Sequence, residues 1–293
     1  DNTFTEKASE YGIDHDGQSM QSTFFDYDKD GDLDLYVINY PPTSFVAPVA
    51  YYSYMLENHQ IEDSDRLYRN DDGHFTDVTV EAGLSSFGLS LGVVASDVNN
   101  DGYTDIFVSN DFNAPDFLFI NNQDGTFTDK SKDYLKHTSH FGMGIDFQDF
   151  NNDLLPDVVQ VDMMPEDNYR QKKILGPMHF DFYNLSIKEG YTPQYMRNSL
   201  QMNQGEKGFS EIGQFNAKKK DGAKIGVCGC TASHLEKDII KRAPYVDFVV
   251  GARNISKIKD IIDVKGAVEI SIENDDSTHE FARSETSMYK TSV

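Results

Sequence analysis

Tryptophan is absent from these 293 residues, and cysteine occurs only at 228 and 230. The first 216 residues therefore hold no disulfide and no thiolate metal site, which leaves an oxidising or a reducing compartment open. No run of 18 apolar residues is present, so no membrane-spanning helix is expected. No leader-like N-terminal stretch is visible and Asp1 is not a natural start, so a mature or cut piece is expected. A glycine-rich phosphate loop is missing: Gly226-Val-Cys-Gly229 is too short and lacks the third glycine. Positive charge is scarce in residues 1–216, where 13 Lys+Arg face 37 Asp+Glu, a balance of −24. That part should repel nucleic acid. Residues 217–293 hold 13 against 12, a balance of +1. This break marks the expected boundary between two domains, 1–216 and 217–293.

What is abundant is aspartate in a fixed spacing. Asp26-Tyr-Asp28-Lys-Asp30-Gly31-Asp32-Leu-Asp34 places oxygen side chains at alternate positions and leads into Leu35-Tyr36-Val37-Ile38. The pattern returns as Asp97-Val-Asn99-Asn-Asp101-Gly102-Tyr-Thr-Asp105 and as Asp149-Phe-Asn151-Asn-Asp153-Leu-Leu-Pro-Asp157. Three such loops, each entering an apolar run, form a repeat. Calcium takes six to eight oxygens at roughly 2.3–2.6 Å. A tight loop can supply them from its first, third, fifth and ninth side chains and its seventh carbonyl. The expected ligands are Asp26, Asp28, Asp30 and Asp34 with the carbonyl of Asp32. In the second loop they are Asp97, Asn99, Asp101 and Asp105 with that of Tyr103. In the third they are Asp149, Asn151, Asp153 and Asp157 with that of Leu155. Gly31 and Gly102 suit a positive φ, and Leu154 replaces that glycine in the third loop. The helix-loop-helix calcium hand needs a glutamate at the twelfth position. Val37, Val108 and Gln160 stand there instead.

A second motif alternates with the loops. It reads Leu67-Tyr-Arg-Asn70 to Gly73-His-Phe75-Thr-Asp77, then Leu118-Phe-Ile-Asn121 to Gly125-Thr-Phe127-Thr-Asp129, then Leu200-Gln-Met-Asn203 to Gly208-Phe209-Ser-Glu211. Asn and Gly between apolar alternations predict a hairpin. Phe4-Thr-Glu6 is expected to be the tail of a further copy. Each unit then has four strands: one ending at the loop (22–25, 93–96, 143–148), one leaving it (35–38, 106–109, 158–161), and the hairpin. Four antiparallel strands repeated about an axis describe a propeller blade. The expected fold is mainly β, a partial β-propeller of about three blades at 18–80, 88–132 and 140–212, followed by a small α/β, Rossmann-like fragment. Three blades fall short of the roughly four to eight that close a ring, so the part is expected to be a fragment or to need a partner.

Loops and hairpins together resemble the FG-GAP/VCBS repeats of integrin-type β-propellers, as does Phe141-Gly-Met-Gly144. The resemblance implies a calcium-stabilised, extracellular or cell-surface module that serves adhesion or binding. Its partner would be an unidentified protein or polysaccharide. Two insertions, 40–65 and 163–198, carry Tyr51, Tyr52, Tyr54, Tyr169, Tyr183 and Tyr191. These could stack on a sugar or anchor a protein, or could merely cover the sheets. His15, His137 and His140 are expected to be exposed loop residues.

After 216 the pattern changes. Strands at 225–227 and 246–250 alternate with helices at 235–242 and 255–262, as in an α/β layer. Gly226-Val-Cys-Gly-Cys230-Thr-Ala and Arg242-Ala-Pro-Tyr-Val-Asp247 resemble the N-terminal domain of radical S-adenosylmethionine tRNA methylthiotransferases. That resemblance implies a cytoplasmic enzyme in which Cys230 is one of three cysteines holding a four-iron four-sulfur cluster. Cys228 is not at a ligand position of that family. The other two cluster cysteines and the Cys-x3-Cys-x2-Cys run are absent, so a cluster is expected only in an intact parent. The chain is thus expected to join pieces of two proteins, with no enzymatic activity of its own. The alternatives are an inactive tRNA-modification fragment and a polysaccharide-binding module.

Overall fold

The computed structural model describes residues 3–43, 47–58, 61–163, 167, 169–170, 173, 180–213, 224, 226–229, 246–251, 254, 257–261 and 267–269. The chain divides into two compact units, Asp1–Gly213 and Gln214–Val293.

The first unit is mainly β and holds three four-stranded antiparallel sheets. The first sheet is β1 (Ser19–Phe25), β2 (Asp34–Asn39), β3 (Arg66–Asp71) and β4 (His74–Asp77), paired in that order. The second is β5 (Ser90–Ser96), β6 (Asp105–Asn110), β7 (Phe117–Asn121) and β8 (Phe127–Asp129). A two-residue strand β9 (Thr138–Ser139) precedes the third sheet, and pairs in parallel with β12 (Gln194–Tyr195). The third sheet is β10 (Gly142–Gln148), β11 (Asp157–Asp162), β13 (Ser199–Asn203) and β14 (Phe209–Glu211). Turn chemistry sets the hairpins. Asp72 and Gly73 join β3 to β4 with φ of 54° and 91°, the primed turn whose twist matches the flanking strands.

The three opening strands lie side by side, with β5 between β1 and β10. Gly92 of β5 allows a close approach there, since a Cβ on it would stand 3.4 Å from the Cα of Gly144 in β10. Apolar side chains fill both gaps between sheets. Phe25, Tyr36, Ile38 and Leu67 of the first sheet meet Val93, Ile106, Val108, Phe117 and Phe119 of the second. Phe107, Leu118 and Ile120 on the opposite face of the second sheet meet Phe147, Val158 and Phe209 of the third. Period-two alternation puts successive residues on opposite faces, so one strand serves two interfaces. Each large apolar side chain so buried contributes about 1.5–3 kcal/mol.

Two expectations are corrected, and an alternative left open is decided. Residues 3–7 form no strand, and Phe4 is fully exposed. His137 and His140 are buried. In the insertions, the helix Val49–Glu57 packs Tyr51 and Tyr52 against Phe87, with ring centroids 5.8 and 6.0 Å away. The Tyr191 hydroxyl donates to the carbonyl of Val49 at 3.1 Å and lies 2.8 Å from Ser53 Oγ. Tyr52 and Tyr191 are therefore core residues with no face left for a sugar, whereas Tyr54 and Tyr169 are exposed.

The second unit contains a parallel three-stranded sheet: β15 (Gly226–Gly229), β16 (Phe248–Gly251) and β17 (Ala267–Glu269). Val249 and Val250 are wholly buried, as in a sheet covered on both faces. A helical turn, Ile258–Ile261, falls within the expected 255–262 segment. The helix expected at 235–242 lies outside the described residues. Among the described residues no helix is long and apolar enough to cross a membrane.

Candidate metal centres

Each aspartate-rich loop connects the first two strands of a sheet, and all three share one backbone. Positive φ recurs at the fourth and sixth positions: Lys29 and Gly31 (63° and 101°), Asn100 and Gly102 (58° and 88°), Asn152 and Leu154 (61° and 71°). Leu154 thus takes the glycine conformation without being glycine. The side chains enforce this turn. Gly31 N donates to Asp26 Oδ2 at 3.2 Å, Gly102 N to Asp97 Oδ2 at 2.7 Å, and Leu154 N to Asp149 Oδ2 at 3.0 Å. The third-position oxygens accept from the fifth residue: Asp30 N to Asp28 at 3.2 Å, Asp101 N to Asn99 at 3.0 Å, Asp153 N to Asn151 at 2.9 Å. The fifth-position carboxylates accept from the seventh N–H, with Asp32, Tyr103 and Leu155 donating at 3.1, 2.8 and 3.0 Å.

The ninth-position aspartates are the first residues of β2, β6 and β11, and Asp34, Asp105 and Asp157 are wholly buried. One carboxylate oxygen accepts from the second loop residue: Tyr27 N at 3.0 Å, Val98 N at 2.8 Å, Phe150 N at 3.0 Å. The other accepts from the end of the third strand: Asn70 N at 2.9 Å, Asn121 N at 2.8 Å, Asn203 N at 2.8 Å. Burial pushes Asp34 and Asp105 up to about 6, against the pull of those N–H donors. Asp157 is raised for the same reason.

The first loop converges most. Asp26, Asp28 and Asp34 each offer a carboxylate oxygen within 4.8 Å of the others. Asp26 Oδ1 and Asp32 Oδ1 are buried with no hydrogen-bond partner. An orphaned Asp26 oxygen beside carboxylates of like charge fits a hard divalent cation, which takes oxygen ligands. In the second and third loops Asn99 and Asn151 stand at the third position and donate their amides to Asp101 and Asp153, at 2.9 and 2.8 Å. Those loops carry less charge and are knit more tightly by their own hydrogen bonds.

Two features escaped the motif reading. Asn121 and Asn203 end the third strands, and their amides reach the neighbouring sheet: Asn121 Nδ2 donates to the Tyr27 carbonyl and Asn203 Nδ2 to that of Val98, both at 2.8 Å. Each sheet therefore clamps the preceding loop at its second residue. Five residues earlier, Asp65, Asp116 and Asn198 accept from the last residue of the second strand: Asn39 N at 2.8 Å, Asn110 N at 2.8 Å, Asp162 N at 2.7 Å. The recurring Asp/Asn-x4-Asn spacing was the available signal. Elsewhere, His137 Nε2 lies 2.8 Å from Glu211 Oε2. Burial raises the Glu211 carboxyl, but the bond and charge of His137 bring it below its ordinary range. Cys228 belongs to β15, and Cys230 lies outside the described residues.

Residues 55–108 and 97–159 match the FG-GAP-like repeat, and residues 199–251 match the uncharacterized protein family UPF0004. Three tRNA-2-methylthio-N(6)-dimethylallyladenosine synthases are similar to part of the chain. That of Aliarcobacter butzleri is 77% identical over 88 residues, 30% of this chain and 20% of the relative. That of a Nitratiruptor species is 66% identical over 82 residues, 28% and 19%. That of Campylobacter jejuni subsp. doylei is 58% identical over 85 residues, 29% and 20%. The chain spans about a fifth of the length of the curated relatives it matches. A solved structure concerned with N-acetylglucosamine recognition by an Agrocybe aegerita lectin aligns with TM-score 0.28 and 14% identity, over 66% of this chain and 51% of that one. At that TM-score the likeness bears on neither fold nor ligand.

The chain carries FG-GAP-like repeats in its N-terminal part and a segment homologous to tRNA methylthiotransferases in its C-terminal part. The UPF0004 match begins at residue 199, inside the third sheet. Strands β13 and β14 thus belong both to the first compact unit and to that match.

Proposed function

We propose that the first unit is a segment of a calcium-dependent β-propeller, a non-enzymatic module that binds a protein or polysaccharide outside the cell. One observation carries this reading: three loops of one backbone, the first of which turns the oxygens of Asp26, Asp28 and Asp34 toward one another. Asp26, Asp28, Asp30, Asp34 and the Asp32 carbonyl would hold one ion, with their counterparts in the other loops holding two more. A bound ion supplies charge neutralisation, so that acidic loops can pack at the end of each sheet without mutual repulsion. Millimolar calcium outside cells suits such sites, whose affinities in extracellular modules run at about 10⁻⁴–10⁻³ M.

The second unit is, on this reading, a piece of a methylthiotransferase with no activity alone. The chain has two cysteines, and only Cys230 stands at one of the three cluster positions that the resemblance implies. The test is thermal unfolding of the full chain in calcium and in excess chelator. Calcium at about 100 times its dissociation constant stabilises by roughly 2.7 kcal/mol per site. At about 2–4 °C per kcal/mol for a domain of this size, the melting temperature should fall on chelation by roughly 5–10 °C for each site that calcium fills to that degree. An unchanged melt overturns the reading.

A further inference from the structure

The joint between sheets is directional, and its two halves are left over at opposite ends of the first unit. Asn121 of the second sheet caps the Tyr27 carbonyl of the first, and Asn203 of the third caps the Val98 carbonyl of the second. The same amides also donate to their own sheet, at the carbonyls of Thr104 and Pro156. Asn70 makes only the own-sheet bond, to the Leu33 carbonyl at 3.1 Å, among the described residues. At the other end, Phe150 holds the position of Tyr27 and Val98, and its carbonyl has no donor among the described residues. The first sheet presents a spare amide and the third a spare carbonyl.

The apolar faces repeat the same asymmetry. Tyr36, Ile38 and Leu67 of the first sheet, and Phe107 and Leu118 of the second, point toward the next sheet. In the third sheet the same frame holds Val159, Val161 and Leu200, with Val161 45% exposed. Facing backward, Ile106, Val108 and Phe119 of the second sheet pack on the first. Their counterparts in the first sheet are Leu35, Val37 and Tyr68, of which Leu35 and Tyr68 are buried; they line a groove of about 280 Å³ with Met20 and with Ile13 and His15 of the N-terminal segment. Phe24 beside it is 57% exposed and Met20 52%. Val161 on the third sheet, and Phe24 and Met20 on the opening strand of the first, thus lie where the unit's two internal joints have their packing side chains.

We propose that the occupant of these faces is a second copy of this chain, docked head to tail. The third sheet of each copy would lie against the first sheet of the other, and the Asn70 amide of one would cap the Phe150 carbonyl of its partner. Two copies bring six sheets, within the roughly four to eight that close a propeller, whereas three copies would exceed them. A heterologous contact that closes on itself gives a discrete ring rather than a filament. The inference rests on the propeller reading above but not on its calcium, so the melting experiment and this one can fail separately.

The test is the mass of the full chain by sedimentation equilibrium at tens of micromolar and physiological salt, in calcium. The chain of 33.1 kDa should sediment as a dimer. Phe24→Asp and Val161→Asp change exposed side chains, so each should yield a monomer with an unchanged circular dichroism spectrum. Mixing the two variants leaves one joint with both faces native, and should recover a heterodimer at higher concentration. A monomeric parent chain would overturn the proposal and assign the faces to other partners. So would open-ended polymers, a dimer that survives either substitution, or a mixture that stays monomeric.

Discussion

The side-chain amide of Asn121 donates to the main-chain carbonyl of Tyr27 at 2.8 Å, and so ties the hairpin of the second sheet to the loop of the first. Asn121 is buried, and its second amide proton serves Thr104. Replacing it with alanine strands one buried carbonyl, at a cost of about 1–3 kcal/mol, and one half-buried carbonyl, at a cost near the lower end of that range. Asn121→Ala and Asn203→Ala should each destabilise the first unit by roughly 2–4 kcal/mol in denaturant unfolding. Asn70→Ala, at an exposed end with one such bond, should cost less than about 1.5 kcal/mol. Equal effects at all three positions would contradict the clamp.

Leu154 occupies the left-handed region at φ 71° with its side chain 82% exposed. Left-handed backbone costs an L-residue roughly 1–2 kcal/mol, and glycine loses about 0.5–1 kcal/mol in unfolded-state entropy. Leu154→Gly should therefore stabilise by about 0.5–1 kcal/mol. Gly31→Ala, at φ 101° with open space around it, should destabilise by about 1 kcal/mol from conformation alone. Chevron or equilibrium urea measurements would show opposite signs.

Asp65 is fully enclosed, and burial pushes its carboxyl up to about 6 despite donors from Asn39, Ser86, Ser90 and Tyr36. The folded state then holds this proton more tightly than the unfolded chain. Its stabilising share is complete below about pH 4 and is lost as pH rises through about 6. Asp65→Asn removes that titration. The stability of the parent chain relative to Asp65→Asn should decline between pH 4 and 7, by on the order of 2 kcal/mol. Parallel pH profiles would show that Asp65 does not titrate in this window.

The loops and hairpins were legible because their function is local. Oxygen spacing, a glycine in the turn and Asn-Gly hairpins are written in consecutive residues, and the three sheets follow at those positions. What stayed hidden depends on contacts across sequence. The hairpin asparagines were visible as motif residues, but their grip on Tyr27 and Val98 needs the neighbouring sheet in place. His137 and His140 read as loop residues because polar segments usually face water, yet the 137–140 segment runs inside the first unit, where β9 pairs with β12. The tyrosines at 51, 52 and 191 could be read as ligand contacts or as cover. Only the packing of the helix Val49–Glu57 on Phe87 decides for cover. The strand expected at Phe4 failed because a single aromatic with two polar neighbours has no partner strand to define its register.

The most direct measurement is a count of calcium ions by isothermal titration on the full chain, freed of metal beforehand. Three ions per chain should bind with dissociation constants of about 10⁻⁴–10⁻³ M or tighter. Asp28→Ala, Asn99→Ala and Asn151→Ala should each remove or weaken one ion. No heat of binding at millimolar calcium, or a stoichiometry unmoved by all three substitutions together, would contradict the account.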